Sequence, residues 1–168
     1  MDFKEIVENF YQPLYRFALS LSRSEDAAGD LTQQTFCIWA QKGGQLRDRS
    51  RVKTWLFTTL YREFLGLQRK IVKFPHQDIA VSENELPQME PQQTERLEAE
   101  EVMAALQTIE PIFREPLTLF YVEDLSYREI AVILGIAEGT VMSRLSRGKA
   151  LLKARLSGEQ AEAWQGNM

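Results

Sequence analysis

The sequence predicts an all-α protein of two small helical domains joined by a flexible linker, the C-terminal one containing a helix-turn-helix. Three observations carry that prediction. Apolar residues recur at helical spacing over two long stretches, and no strand-like alternation of useful length or internal repeat interrupts them. Between the stretches the pattern dissolves around Pro75, Pro87 and Pro91, among glutamines and acidic residues. Near the C-terminus, helical spacing is broken once by a glycine and then resumes, the punctuation of two helices joined by a tight turn. The expected divisions are an N-terminal domain over 1–70, an acidic linker over 71–95, a C-terminal domain over 96–157 and a tail over 158–168.

Phe3, Ile6, Val7, Phe10, Leu14, Phe17, Ala18 and Leu21 form one apolar stripe, so the first helix faces a core and is expected to bend or break near Pro13. A second helix is expected to open at Ser22 or Ser24. Ser22 and Glu25 have capping-box spacing, and Glu25 and Asp26 suit the positive end of a helix dipole. It runs to about Gln41, where Gly43 and Gly44 break the pattern, and a polar, basic loop leads to a third helix near Arg51. Val52, Trp55, Leu56, Leu60, Phe64 and Leu67 make the buried side of that helix. After the linker, spacing returns with Leu97, Val102, Ala105, Leu106 and Ile109, and continues beyond Pro111 through Ile112, Leu117, Phe120 and Tyr121, with a kink or restart expected at Pro116.

With 168 residues, 44% of them hydrophobic and 26% charged, the chain can bury one medium core or two small ones. Its net charge of −4 is unevenly spread. Residues 1–70 hold 11 Lys/Arg against 8 Asp/Glu, residues 71–125 hold 3 against 12, and residues 126–156 hold 6 against 2. Two basic modules flank an acidic middle, a pattern that fits contact with nucleic acid and also fits ordinary surface variation. One cysteine, Cys37, excludes an internal disulfide. One histidine, His76, removes the usual zinc clusters and nucleophile–histidine pairs, so no metal, cofactor or catalytic residue is expected. No targeting segment or membrane span is visible, and a cytoplasmic protein without membrane insertion is expected.

Residues 125–156 read LSYREIAVILGIAEGTVMSRLSRGKALLKARL. Ser126 and Glu129 make a capping box, Ile130, Ala131 and Leu134 face inward, Gly135 supplies a sharp turn, and a second helix starts near Glu138. Val141, Leu145 and Leu152 are expected to pin that helix to the one before it. Thr140, Ser143, Arg144 and Arg147 then fall at i, i+3, i+4 and i+7 on the other side, a hydroxyl and guanidinium stripe suited to the DNA major groove. Met142 and Ser146 lie beside it, and Lys149, Lys153 and Arg155 extend the positive field. A plain helical hairpin with a solvated basic face is the alternative; the glycine turn and paired caps favour DNA.

The same segment resembles the C-terminal promoter-reading domain of bacterial extracytoplasmic-function (ECF) sigma factors of RNA polymerase. Residues 11–19 (YQPLYRFAL), 28–36 (AGDLTQQTF) with Trp39, and 53–57 (KTWLF) resemble the N-terminal domain of that family in content, order and spacing. Asp30, Gln33 and Gln34 form a polar ridge opposite Leu31, Thr35 and Ile38; a solvated helix face explains it equally well. The resemblance implies that the ridge, flanked by Leu31 and Phe36, grips the clamp helices of the polymerase's largest subunit, with the C-terminal domain on the flap. On helix three, Phe57, Thr58, Tyr61, Arg62 and Arg69 are expected on the side away from the core, with Arg47, Arg49, Arg51 and Lys53 before them. Aromatics interleaved with cations suit DNA strand opening, and plain core packing accounts for Phe57 and Tyr61 as well. The resemblance further implies capture of a flipped minus-ten base by the loop over 41–50, a linker threading the RNA channel, promoter DNA as ligand and an anti-sigma protein as partner. The chain departs from the family pattern at Arg62, Gly66, Pro116 and Met142.

Two rivals remain on sequence grounds: a stand-alone helix-turn-helix regulator whose N-terminal bundle dimerises or binds a ligand, and a helical adaptor that binds no DNA. A small helical hydrolase fits least, for want of paired carboxylates in an apolar setting.

Overall fold

The computed structural model describes residues 2–73 and 94–157. The linker expected around His76 and the tail over 158–168 therefore lie outside the described residues, apart from the linker's edges. Seven α-helices are described: α1 (Phe3–Ser22), α2 (Glu25–Lys42), α3 (Val52–Lys73), α4 (Thr94–Gln107), α5 (Pro111–Leu117), α6 (Tyr127–Leu134) and α7 (Glu138–Leu156). No strand occurs among the described residues. They form two compact units: α1–α3 with residues 132–135 at the end of α6, and α4, α5, α7 and the start of α6.

In the first unit each of α1, α2 and α3 packs on the other two. Asp2 caps α1 in a reciprocal box: its carboxylate accepts from the Glu5 amide at 2.9 Å, and the Glu5 carboxylate accepts from the Asp2 amide at 2.9 Å. The helix continues through Pro13 to Ser22, so the interruption expected there does not occur. Arg23 then turns the chain in the left-handed region, φ 56°. Ser24, not Ser22, caps α2, accepting from the Ala27 amide at 3.2 Å. Ile6, Leu14, Phe17, Ala18 and Leu21 are buried as expected, whereas Phe3, in the first turn with fewer neighbours, is half exposed. Val52, Leu56, Leu60 and Phe64 line the buried side of α3, but Leu67 lies outside it.

Buried hydroxyls in these helices satisfy themselves locally. Thr32 donates to the Ala28 carbonyl and Thr35 to the Leu31 carbonyl, each at 2.7 Å, so two polar side chains sit in the core without an unmet donor.

In the second unit α7 packs on α5 and α4. The row Val141, Leu145, Gly148 and Leu152 is buried. A β-carbon at Gly148 would come within 2.8 Å of the Leu117 side chain and 3.3 Å of Phe113 Cβ, so this glycine is where α5 and α7 cross closely. The expectation that Val141, Leu145 and Leu152 pin α7 to α6 is thus corrected: α5 and α4, nearer in space though farther in sequence, are the helices α7 packs on. The α-helix passes Pro116 by one residue, ends at Leu117 and loosens into a π-turn over Thr118–Val122, closed by the Glu123 amide on the Thr118 carbonyl at 3.1 Å. Ile112 and Tyr121 are half exposed there, while Leu117 and Leu119 are fully buried.

Replacing Gly148 by alanine is expected to lower the unfolding midpoint, because overpacking costs about 1–3 kcal/mol and outweighs a helix-propensity gain of about 1 kcal/mol. Gly139→Ala, on the same helix with open space around it, is expected to raise the midpoint or leave it unchanged. Thermal melts followed by circular dichroism compare the two.

Candidate nucleic-acid interface

The turn between α6 and α7 follows from three local features. Ser126 accepts from the Glu129 amide at 3.2 Å and donates to the Glu129 carboxylate at 3.0 Å, which starts α6. Gly135 adopts φ 67°, a left-handed conformation that side chains resist, and the Ile136 amide reaches back to the Ala131 carbonyl at 3.1 Å. Helix α7 then begins at Glu138, as expected, with Ala137 at its N-cap and no side-chain cap.

The buried row of α7 leaves its opposite side to solvent. Ser143, Ser146, Arg147, Lys149 and Lys153 are exposed, and so is Met142; Thr140 and Arg144 stand half-buried on one flank. The expected stripe is therefore graded, with Ser143 and Arg147 outermost.

On α2 the ridge is as expected: Asp30, Gln33 and Gln34 are all exposed, while Leu31, Thr35 and Phe36 point into the unit and are buried. Tyr11 stacks on Phe36 with ring centroids 6.3 Å apart and on Tyr15 at 6.1 Å, extending the ridge onto α1. Burial, helped by the nearby Glu25 carboxylate, Tyr11 and Asp26, pushes the Tyr15 phenol above its ordinary range.

On α3 the structure corrects the expected melting face. Phe57 is 0% and Tyr61 8% exposed, and Thr58 is buried with its hydroxyl donating to the Thr54 carbonyl at 2.6 Å. Phe57 packs against Phe17 with centroids 5.4 Å apart, and Tyr61 against Phe17 at 6.4 Å and Phe64 at 6.5 Å. The alternative of plain core packing therefore holds for Phe57 and Tyr61, and Thr58, expected on the outer side, is buried with them. Arg62 and Arg69 do lie on the solvent side, and Lys53 is half-buried.

Before α3, the basic loop is braced by a residue that its charge pattern concealed. Asp48 accepts from the Ser50 amide at 3.0 Å and the Ser50 hydroxyl at 2.6 Å, and it pairs with Arg51 at 3.5 Å. The Ser50 donors and Arg51 hold its carboxyl below the usual carboxylate range. The short turn over Arg49–Arg51 begins there, and Arg47, Arg49 and Arg51 project into solvent. An Asp followed two residues later by Ser is the signal that marks this turn. Behind the loop, Gly43 abuts the Trp39 indole, where a β-carbon would collide, and Trp39 meets Trp55 edge-on at 5.1 Å.

No described helix is long and apolar enough to cross a membrane. Two family models match: Sigma-70 region 2 over residues 6–72 and Sigma-70, region 4 over residues 99–152. The chain is 31% identical over 159 residues to the ECF RNA polymerase sigma factor SigM of Bacillus subtilis, covering 92% of this chain and 94% of that protein. It is 36% identical over 149 residues to the ECF RNA polymerase sigma factor EcfG of Rhodopseudomonas palustris, covering 89% and 82%. Among solved structures, the sigma factor RpoE from Bartonella quintana, crystallised in complex with the anti-sigma factor NepR, matches with a TM-score of 0.77 and 33% identity, over 95% of this chain and 99% of that chain.

The placement of α3 separates core from surface in one experiment. Phe57→Ala is expected to destabilise the first unit by about 3–5 kcal/mol, whereas Arg62→Ala is expected to stay within about 0.5 kcal/mol of wild type. Urea unfolding of both variants measures the difference.

Proposed function

The chain belongs to the extracytoplasmic-function sigma factors of RNA polymerase, and from that premise we propose how its two units divide the work of promoter-specific transcription initiation. The observation that carries the proposal is the split of α7 into a row buried on α5 and an exposed polar, basic face, which leaves the second helix of a helix-turn-helix free to enter a major groove.

The domain over 96–157 reads the minus-thirty-five element. Arg147 and Ser143 reach base edges, Thr140 and Arg144 take the adjoining edge or phosphates, and Ser146, Lys149 and Lys153 track the backbone. The domain over 1–70 docks on core and opens the minus-ten region. Asp30, Gln33 and Gln34 make the clamp contact, held in place by the buried Leu31 and Phe36. Arg47, Arg49, Arg51 and Lys53, with Arg62 and Arg69 on α3, hold the phosphates of the separated strand. The buried aromatics of α3 set the position of those cations and do not themselves stack on bases.

Core polymerase, through its clamp helices and flap, and promoter DNA are the partners. An anti-sigma protein is a further one, supported by the complex in which the RpoE relative was crystallised. The factor performs no chemistry of its own; the polymerase supplies it. A cytoplasmic location follows from that partnership.

Asp30→Ala combined with Gln33→Ala is expected to weaken binding to core at least several-fold while leaving the melting temperature nearly unchanged, since exposed positions tolerate truncation. Fluorescence anisotropy of labelled protein titrated with core reads this, and an unaltered affinity places the docking surface elsewhere. Arg147→Ala is expected to flatten base preference at one or two minus-thirty-five positions, about 1–3 kcal/mol of discrimination for a bidentate arginine. Lys153→Ala is expected to lower affinity for all sequences alike and to reduce the salt dependence. Selection of holoenzyme-bound promoters from a randomised minus-thirty-five library distinguishes the two, and identical preferences for wild type and Arg147→Ala remove Arg147 from direct readout.

A further inference from the structure

We propose that Met142 recognises a thymine in the minus-thirty-five element through the C5-methyl group that this base projects into the major groove. The inference rests on the reading of α7 as the groove-entering helix and assigns one base within its site. Met142 is the fifth residue of α7 and is 54% exposed. Single exposed apolar side chains are ordinary on protein surfaces, so the exposure alone assigns nothing. Position decides.

The N-terminal part of the second helix in a helix-turn-helix is the part that reaches base edges. Met142 follows Val141, whose burial fixes the rotation of the helix, and so stands about 100° around the axis from the buried row. Its exposed neighbours at i+1 and i+4 are Ser143 and Ser146, both short, so the long unbranched thioether projects beyond them. Further along the same side come the exposed Lys149 and Lys153, at i+7 and i+11. That row passes from an apolar tip near the start of the helix to cations placed for phosphate.

The chemistry of the groove floor then selects the base. Guanine, adenine and cytosine present hydrogen-bonding nitrogen and oxygen groups there, cytosine with only a C5–H where thymine carries its methyl, and thymine alone adds that methyl. A thioether donates no hydrogen bond and accepts weakly, so pressing it onto a polar edge would strip water from that edge without replacing it. Against a thymine methyl the same contact removes apolar surface from water on both sides. Thymine is therefore the base on which Met142 gains and the others are those on which it loses.

The experiment uses holoenzyme reconstituted from core and the full chain, on a promoter selected by that holoenzyme, with each thymine of the minus-thirty-five element replaced in turn by deoxyuridine, which lacks only the methyl. At one position the wild-type holoenzyme is expected to bind about threefold to fivefold more weakly, the effect of one buried methyl group. Met142→Ala is expected to be indifferent to that replacement, and Met142→Gln to shift preference at that base pair toward adenine. Absence of any deoxyuridine effect in wild type, or an equal effect in Met142→Ala, overturns the assignment. A promoter with a scrambled minus-thirty-five element distinguishes the two levels. If scrambling weakens binding but methyl removal does not, the thymine contact falls and the reading of α7 stands. If scrambling has no effect, both fall.

Discussion

Phe17 of α1 meets Phe57 of α3 with ring centroids 5.4 Å apart, and both rings are fully buried. An aromatic pair of this kind contributes roughly 0.5–1.5 kcal/mol beyond the area it buries. Its larger effect is geometric. With Phe17 also against Tyr61, α3 can sit on α1 in only one rotation, and that rotation sends Arg62 and Arg69 to solvent. The polar ridge of α2 depends on the same core, because Leu31 and Phe36 fill it from the third side and thereby turn Asp30, Gln33 and Gln34 outward. The exposed ridge of α2 and the exposed cations of α3, the surfaces proposed for docking and for strand holding, are two outward consequences of one inward packing arrangement.

The second unit reaches a comparable result by a different route. Its key contact is an absent side chain: Gly148 lets α7 approach Leu117 and Phe113 closely enough for Val141, Leu145 and Leu152 to be buried beside it. The buried Arg114 is accommodated in the same region by donating to the Ile109 carbonyl at 3.1 Å. Glycine in a helix interior costs about 1 kcal/mol against alanine, and close helix packing offsets that cost.

Features set by neighbours in sequence were legible without coordinates. The start of α2 near Ser24, the Ser126 cap on the Glu129 amide, the turn at Gly135 and the exposed ridge on α2 all depend on residues a few positions apart. Features set by neighbours in space were not. A single apolar stripe on α3 leaves Phe57 and Tyr61 outside, but a helix wedged against both α1 and α2 buries two adjacent rows, and the second row is made of these aromatics. Likewise α7 was assigned to the helix beside it in sequence, whereas its buried face lies on α5. Phe3, Leu67 and Ile112 repeat the lesson toward helix ends, where the period continues but the side chains are only half covered. Asp48 was hidden for another reason: among four cations its charge reads as a minor cancellation, while its hydrogen bonds to Ser50 shape the turn.

The angular division of α7 has an evolutionary consequence. Val141, Leu145, Gly148 and Leu152 are buried and hold the helix in place, while Met142, Ser143, Ser146 and Arg147 are exposed. Substitutions in the second set therefore leave folding nearly untouched, and the two sets can drift at independent rates. On the proposed reading of α7, duplicated genes carrying this helix can diverge toward separate promoters without passing through unstable intermediates, which makes it a natural unit for paralogues to insulate their circuits from one another.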